Sequence, residues 1–238
     1  MELIWKGVVE GLRLLIRGDP YIWEIIGVTA QVSGSALLIS AIVGIPFGAL
    51  MGLKRFAGRR LAHALIYTGM GLPPVVVGLA VYLLLSRNGV LGSLELRWLP
   101  RLFTVPAMVL AQVIIATPLV IGYTMSSVAE VSANLRLQVR ALGATDLQMV
   151  WVTLREARRG ILVALIGGLG SIISEVGAVM MVGGNIEHST RVLTTTILLE
   201  TRKGNFDVAI GLSIVLLTLA FLINLSFTWL QGRRSEWT

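Results

Sequence analysis

Cysteine is missing from all 238 residues, which excludes disulfides, thiolate metal sites and cysteine nucleophiles. Histidine is scarce: His63 and His188 are the only two. They are too sparse for a metal cluster, and Glu187-His188 stands isolated. No Ser/His/Asp set can be argued, and no GxxxxGK[ST] loop occurs, so the chain does not hydrolyse ATP by that route. Charge is also low: 14% of residues are charged and 55% hydrophobic, where soluble domains carry about 25% charged residues. The small excess of Lys+Arg 20 over Asp+Glu 13 is not gathered into a basic run with interleaved aromatics. It reads as loop charge at a membrane surface, with no nucleic-acid partner.

What is present is long apolar runs. Five spans stand out, at about 25–53, 61–85, 103–125, 161–182 and 208–230, each near the roughly 20 residues that cross a bilayer as a helix. Continuous runs argue against a β-barrel. The expectation is an all-α integral membrane protein with about five transmembrane helices. Residues 25–230 would form the transmembrane domain and 231–238 a cytoplasmic tail. At the N-terminus, Glu2, Lys6, Glu10, Arg13 and Arg17 form one polar stripe opposite Ile4, Val8, Leu12 and Leu15. That predicts an interfacial helix within residues 1–20, stopped by Asp19-Pro20, with a short sixth crossing as the alternative. The acidic residues and the lack of a small-residue cleavage site argue against a signal peptide.

Basic density sets orientation. The stretch "KRFAGRR" (54–60) carries Lys54, Arg55, Arg59 and Arg60 and should be cytoplasmic. Parity then places 126–160 on the same side and 184–206 outside. Gly44, Gly48 and Gly52 repeat at a spacing of four, a small-residue face for close helix packing. In "GLPPVVVGL" (71–79) the adjacent Pro73 and Pro74 break the helical ladder; this is either a packing kink or part of a gate or pathway.

One segment, "LRLQVRALGATDLQMVWVTLREARR" (135–159), is amphipathic and mostly basic amid apolar neighbours. Thr145 and Gln148 fit a capping box. Leu147, Val150, Trp151 and Leu154 then fall on one apolar face, and Leu135, Val139 and Leu142 make a second, shorter one. Arg155, Arg158 and Arg159 suit a helix C-terminus. The segment should be helix, Gly-Ala turn, helix: either a hairpin that merely joins spans or a docking knob for a soluble partner.

"ALGATDLQMVWVTLREA" resembles the cytoplasmic loop of type I ABC importer permeases, with Gly143 at the family's glycine and Ala141-Leu142-Gly143-Ala144 matching its surround. The family's Glu-Ala-Ala positions read Leu137-Gln138-Val139 here, and its Ile and Leu-Pro positions read Thr153 and Arg155-Glu156. "GLPPVVVGL" and "ISEVGAVMMVGGNI" (173–186) resemble segments of molybdate, sulfate and tungstate permeases. "TRVLTTTILLETRKGNFDVAI" (190–210) looks most like the tungstate type, and no residue chemistry separates the anions. The resemblance implies a non-enzymatic, multi-pass subunit of the cell membrane that imports an oxyanion. It implies two copies of the chain, cytoplasmic ATPase subunits that bind the ATP, and an extracytoplasmic binding protein; no cofactor belongs to this chain. It also implies that Ala141, Leu142, Gly143, Ala144, Thr145, Asp146 and Leu147 contact the ATPase.

Glu175 is an ionisable group inside an expected span, which costs roughly 2.5 kcal/mol or more if charged. A structural hydrogen bond to backbone or to a neighbouring span is the first reading, and a part in gate closure the second; a carboxylate would repel an anion. Gln31, Ser33, Gln112, Thr117 and Ser171 are polar residues that either line a pathway or join helices. Two rival classes are a secondary transporter that works without an ATPase and a membrane scaffold with no pathway.

Overall fold

Asp19 and Pro20 set the first helix in place. The Asp19 carboxylate accepts the Tyr21 N–H at 2.9 Å, and Pro20 takes the first helical position, where its missing N–H costs nothing. The computed structural model describes residues 19–54, 56–94, 96 and 98–232. The expected interfacial helix at 2–17 and the last tail residues, 233–238, lie outside the described residues. Among those described there are ten α-helices and no strands: α1 (Pro20–Leu53), α2 (Arg59–Met70), α3 (Pro74–Leu85), α4 (Val105–Glu130), α5 (Ala133–Ala141), α6 (Asp146–Glu156), α7 (Arg158–Ser174), α8 (Gly177–Gly183), α9 (Leu193–Lys203) and α10 (Phe206–Gly232).

Three helices, α1, α4 and α10, are each long and apolar enough to cross a membrane. Two bent helix pairs also pass by length and composition, which gives three to five candidate crossings; in the second pair only α7 falls within a run expected to cross, because α6 is the polar helix of 135–159. The first pair, α2 and α3, parts at Gly71–Pro73. Neither proline can donate to the ladder, and each disfavours helix in the residue before it. Gly71 N–H turns back to Thr68 at 3.1 Å, and Val76 N–H restarts the ladder on Pro73 at 2.9 Å. The second pair, α6 and α7, bends by 67°. The continuous helix expected at 161–182 is not found. α7 ends at Ser174 and α8 begins at Gly177, because the chain breaks around Glu175, whose side chain caps the second helix.

The described residues fall into two compact units. One gathers 37–72, 113–169 and 227–232. Here the glycine stripe of α1 lies against α4. A Cβ on Gly44 would stand 2.7 Å from Val120 Cγ1, one on Gly48 2.7 Å from the Ile121 carbonyl oxygen, and one on Gly52 2.8 Å from the Met125 carbonyl oxygen. The two backbones approach too closely for any larger residue. Nearby, Ala49, Val128, Val131 and Ala157 form a buried cluster, with Leu53, Leu135, Leu154 and Ile161 packed on it.

The other unit gathers 19–36, 73–112 and 170–226. Its core is Ile22, Ile25 and Ile26 of α1 with Leu193, Leu212 and Val215. Gly78 of α3 sits on α8, where a Cβ would come within 2.6 Å of Ala178 Cα. Thr29 Oγ1 accepts the Leu193 N–H at 3.0 Å and so caps α9 from α1.

Candidate functional site

The polar element at 135–159 forms as its sequence predicts. Ser132 caps α5 by accepting the Leu135 N–H at 3.2 Å. The helix then ends in a paired closure, with Gly143 N–H on the Arg140 carbonyl at 2.9 Å and Ala144 N–H on Val139 at 3.3 Å, the Schellman arrangement. Gly143 has φ +83, and a Cβ there would meet nothing within 4 Å. Glycine is therefore required for its left-handed backbone and not for a close approach. α6 opens on the predicted capping box: Gln148 N–H donates to Thr145 Oγ1 at 3.3 Å, and Thr145 N–H to Gln148 Oε1 at 2.8 Å. Arg140 and Asp146 pair across the turn at 3.2 Å, both exposed, a contact that contributes little.

The apolar face expected on α6 divides in two. Val150 is half-buried, Thr153 and Ala157 are buried, and Leu154 packs on the cluster of this unit. Leu147 remains 80% exposed and Trp151 68%, with Leu142 at the turn 88% and Leu137 of α5 65%. Four large apolar side chains in the open on a polar hairpin form a patch suited to covering by another protein. At the foot of the hairpin lies a cleft of about 340 Å³, with Ser127, Glu130, Leu135, Glu156 and Arg159 among its lining residues.

Among the intramembrane polar groups, Glu175 is 8% exposed. Its Oε1 accepts the Ala178 N–H at 2.7 Å, which satisfies a donor of the first turn of α8 and sets the carboxylate at the positive end of that helix. Thr194 Oγ1 donates to the Glu175 carbonyl at 3.2 Å. Gln112, 2% exposed, donates Nε2 to the Ile172 carbonyl at 3.2 Å, close to the break in the same run. Thr117 donates to Ser40 Oγ at 3.2 Å, a joint between α4 and α1. Gln31 is exposed, Ser33 buried and Ser171 half-buried. Among the described residues no hydrogen bond joins Gln31, Thr117 and Ser171 to one another. Pro73 and Pro74 open α3.

The 184–192 loop holds a cluster that sequence reasoning missed. Arg191, with its side chain 14% exposed, pairs with Glu187 at 3.5 Å. It also donates to the Tyr21 hydroxyl and, at 3.4 Å, to the Asn185 carbonyl. His188 Nδ1 lies 2.7 Å from Glu24 Oε2. The available signal was the i,i+4 spacing of Glu187 and Arg191. Further on, Glu200 accepts Asn205 Nδ2 and Lys203 Nζ, each at 2.7 Å. The Asn205 hydrogen bond, then the Lys203 ammonium, hold its carboxyl below the ordinary glutamate value.

Broken and unbroken apolar helices, with one polar hairpin carrying an exposed apolar tip, define a multi-pass membrane protein. The chain belongs to the family "Binding-protein-dependent transport system inner membrane component", whose pattern it matches over residues 44–235. It is a transport subunit. A "Probable anion ABC transporter permease protein" of Haloferax volcanii is 43% identical over 209 residues, covering 86% of this chain and 88% of the relative. The "Tungstate uptake system permease protein TupB" of Peptoclostridium acidaminophilum is 38% identical over 224 residues, 94% of this chain and 96% of that protein. In fold, a bacterial ABC transporter involved in the import of the acidic polysaccharide alginate matches with a TM-score of 0.76 at 21% identity, over 95% of this chain and 84% of the other.

Proposed function

We propose that this chain is the permease subunit of an ATP-driven importer for a tetrahedral oxyanion, tungstate, in the cell's inner membrane. Two copies would form the pathway. ATPase subunits would hold the hairpin from the cytoplasm and bind the ATP, and an extracytoplasmic binding protein would deliver the anion. The observation that carries this reading is the exposed apolar tip, Leu142, Leu147 and Trp151, on a doubly capped hairpin. The similarity to a tungstate permease over nearly the whole chain supports the anion.

The mechanism needs two conformations with opposite access. Only a partner that binds them unequally shifts their balance. Closure of the ATPase pair would move the hairpin as a unit, since both of its ends are pinned by caps and the α6 side packs on α4 and α1 through Leu154 and Ala157. The interruption at Gly71–Pro73 is a natural place for such motion to reach the membrane, and Gln31, Thr117 and Ser171 are candidates to meet the anion as hydrogen-bonding groups. Glu175 serves structurally by capping α8.

The test is Gly143→Asp in the full assembly. The spans should still insert, while ATPase co-purification and tungstate uptake are lost. Uptake assayed against molybdate and sulfate decides the anion. Intact ATPase binding and uptake in the variant would remove the hairpin from the mechanism, and uptake by the isolated chain without any ATPase would make it a secondary transporter.

A further inference from the structure

A second charged feature is left unused by the transport reading. α1 ends at Leu53 as a membrane-crossing helix, and the next seven residues hold Lys54, Arg55, Arg59 and Arg60 with no acid among them. A cleft of about 600 Å³ opens there, lined by Phe56, Gly58, Arg59, Arg60 and His63. Arg59 donates Nε to His63 Nε2 at 3.2 Å. That contact steadies the guanidinium and leaves its two terminal nitrogens free. Among the described residues no carboxylate pairs with Arg59, Arg60 or Lys54.

Two local features make an anion welcome. Gly58, at φ +87, provides no side-chain cap, and the first turn of α2 has no acidic residue. The two arginines stand at the helix end where the macrodipole disfavours cations. The cleft itself, with its paired and unpaired guanidinium groups, is the site; the helix end adds to it. One wall is apolar: Phe56 lines the cleft and is 41% exposed, and the cleft opens at the end of a helix long and apolar enough to cross a membrane. A freely soluble ion has no use for an apolar wall, whereas a molecule with a phosphate head and hydrocarbon tails meets both the arginines and Phe56.

We propose that this cleft binds the phosphate headgroup of an anionic membrane lipid, with Arg59 and Arg60 on the phosphate oxygens and Phe56 along an acyl chain. Guanidinium forks match phosphate geometry, and a cation near an anionic bilayer surface strengthens attachment there. The inference goes beyond the transport reading and needs only that the chain is in a membrane. It can fail while import stands, and the reverse.

The test is native mass spectrometry of the purified full chain titrated with phosphatidylglycerol or phosphatidylcholine. The variant is Arg59→Gln with Arg60→Gln, and the control of equal charge is Arg87→Gln with Arg101→Gln, both exposed residues. The expected result is preferential retention of phosphatidylglycerol, weakened about tenfold or more in the Arg59/Arg60 variant and unchanged in the control. Arg59→Lys with Arg60→Lys should recover part of the binding, which guards against a folding defect in the glutamine pair. Equal retention of both lipids, equal weakening in the control, or no weakening in the Arg59/Arg60 variant would overturn the site. Inorganic phosphate that displaces phosphatidylglycerol at low millimolar concentration would make it a soluble-phosphate site and overturn the lipid assignment.

Discussion

Substituting Gly48 by alanine sets two opposing effects against each other. Alanine in a helix interior gains about 0.5–1 kcal/mol over glycine. At Gly34 of the same helix a Cβ would meet nothing within 4 Å, so that gain should appear undiminished. At Gly48 the new Cβ lies 2.7 Å from the Ile121 carbonyl oxygen and 2.7 Å from Thr124 Cβ. The first neighbour is backbone, so relief requires the helices to part by roughly half an ångström, and such overpacking costs about 1–3 kcal/mol. The balance is a loss of about 0.5–2 kcal/mol at Gly48 against a gain of up to about 1 kcal/mol at Gly34. For a chain of this size, 1 kcal/mol moves Tm by about 2–4 °C. Gly48→Ala should therefore melt about 1–8 °C lower than the parent and Gly34→Ala slightly higher. Thermal unfolding of the purified chain, followed by tryptophan fluorescence at one scan rate, reads both. If Gly48→Ala melts as high as Gly34→Ala, the close approach of α1 and α4 is refuted.

Three further outcomes are expected. Glu175→Gln retains an acceptor for the Ala178 N–H, whereas Glu175→Leu leaves that buried donor unmet at a cost of about 1–3 kcal/mol, so the leucine variant should give the lower folded yield and Tm; equal values would remove the cap from the explanation. Thr145→Ala should cost about 1 kcal/mol and speed amide exchange at Gln148, while Thr145→Ser should not; exchange unchanged in both would mean the capping box does not form. Glu200 has a carboxyl pKa held below 4.5, first by its Asn205 hydrogen bond, so its contribution to stability is complete above that value and lost as pH falls through the lower folded one. The Tm gap between the parent and Glu200→Gln should therefore close on acidification below about pH 4, and a gap that stays constant down to pH 2 would contradict the linkage.

Much of this fold is written locally. Thr145 and Gln148 are three residues apart and need no distant partner, so the capping box could be read directly. Pro73 and Pro74 announced an interruption for the same reason, since a missing N–H is a property of the residue. The three unbroken crossings, α1, α4 and α10, followed from apolar length. The features that escaped reading depend on neighbours far along the chain. A backbone hydrogen bond was the first reading for Glu175 and the Ala178 N–H makes it, but that it caps a new helix and breaks the run 161–182 was not legible, because a carboxylate amid apolar residues looks alike whether paired across helices or turned back on its own chain. The outward turn of Leu147 and Trp151 depends on which row of α6 the Val128 and Ala157 cluster takes up. Arg191 is half-buried and donates to Tyr21, 170 residues away. In the candidate site, the glycine at 143 was legible, but its reason, a left-handed turn and not a tight fit, required the backbone angle.

The uncovered tip of the hairpin bears on how the cell handles this protein before it works. Leu142, Leu147 and Trp151 lie on polar helices and are solvated until something sits on them. A copy made in excess of its mate therefore displays an adhesive surface of the kind that chaperones and proteases recognise. If the proposed ATPase subunit is that mate, steady-state abundance is set by its supply as much as by synthesis of the chain itself, and an orphan copy would be cleared.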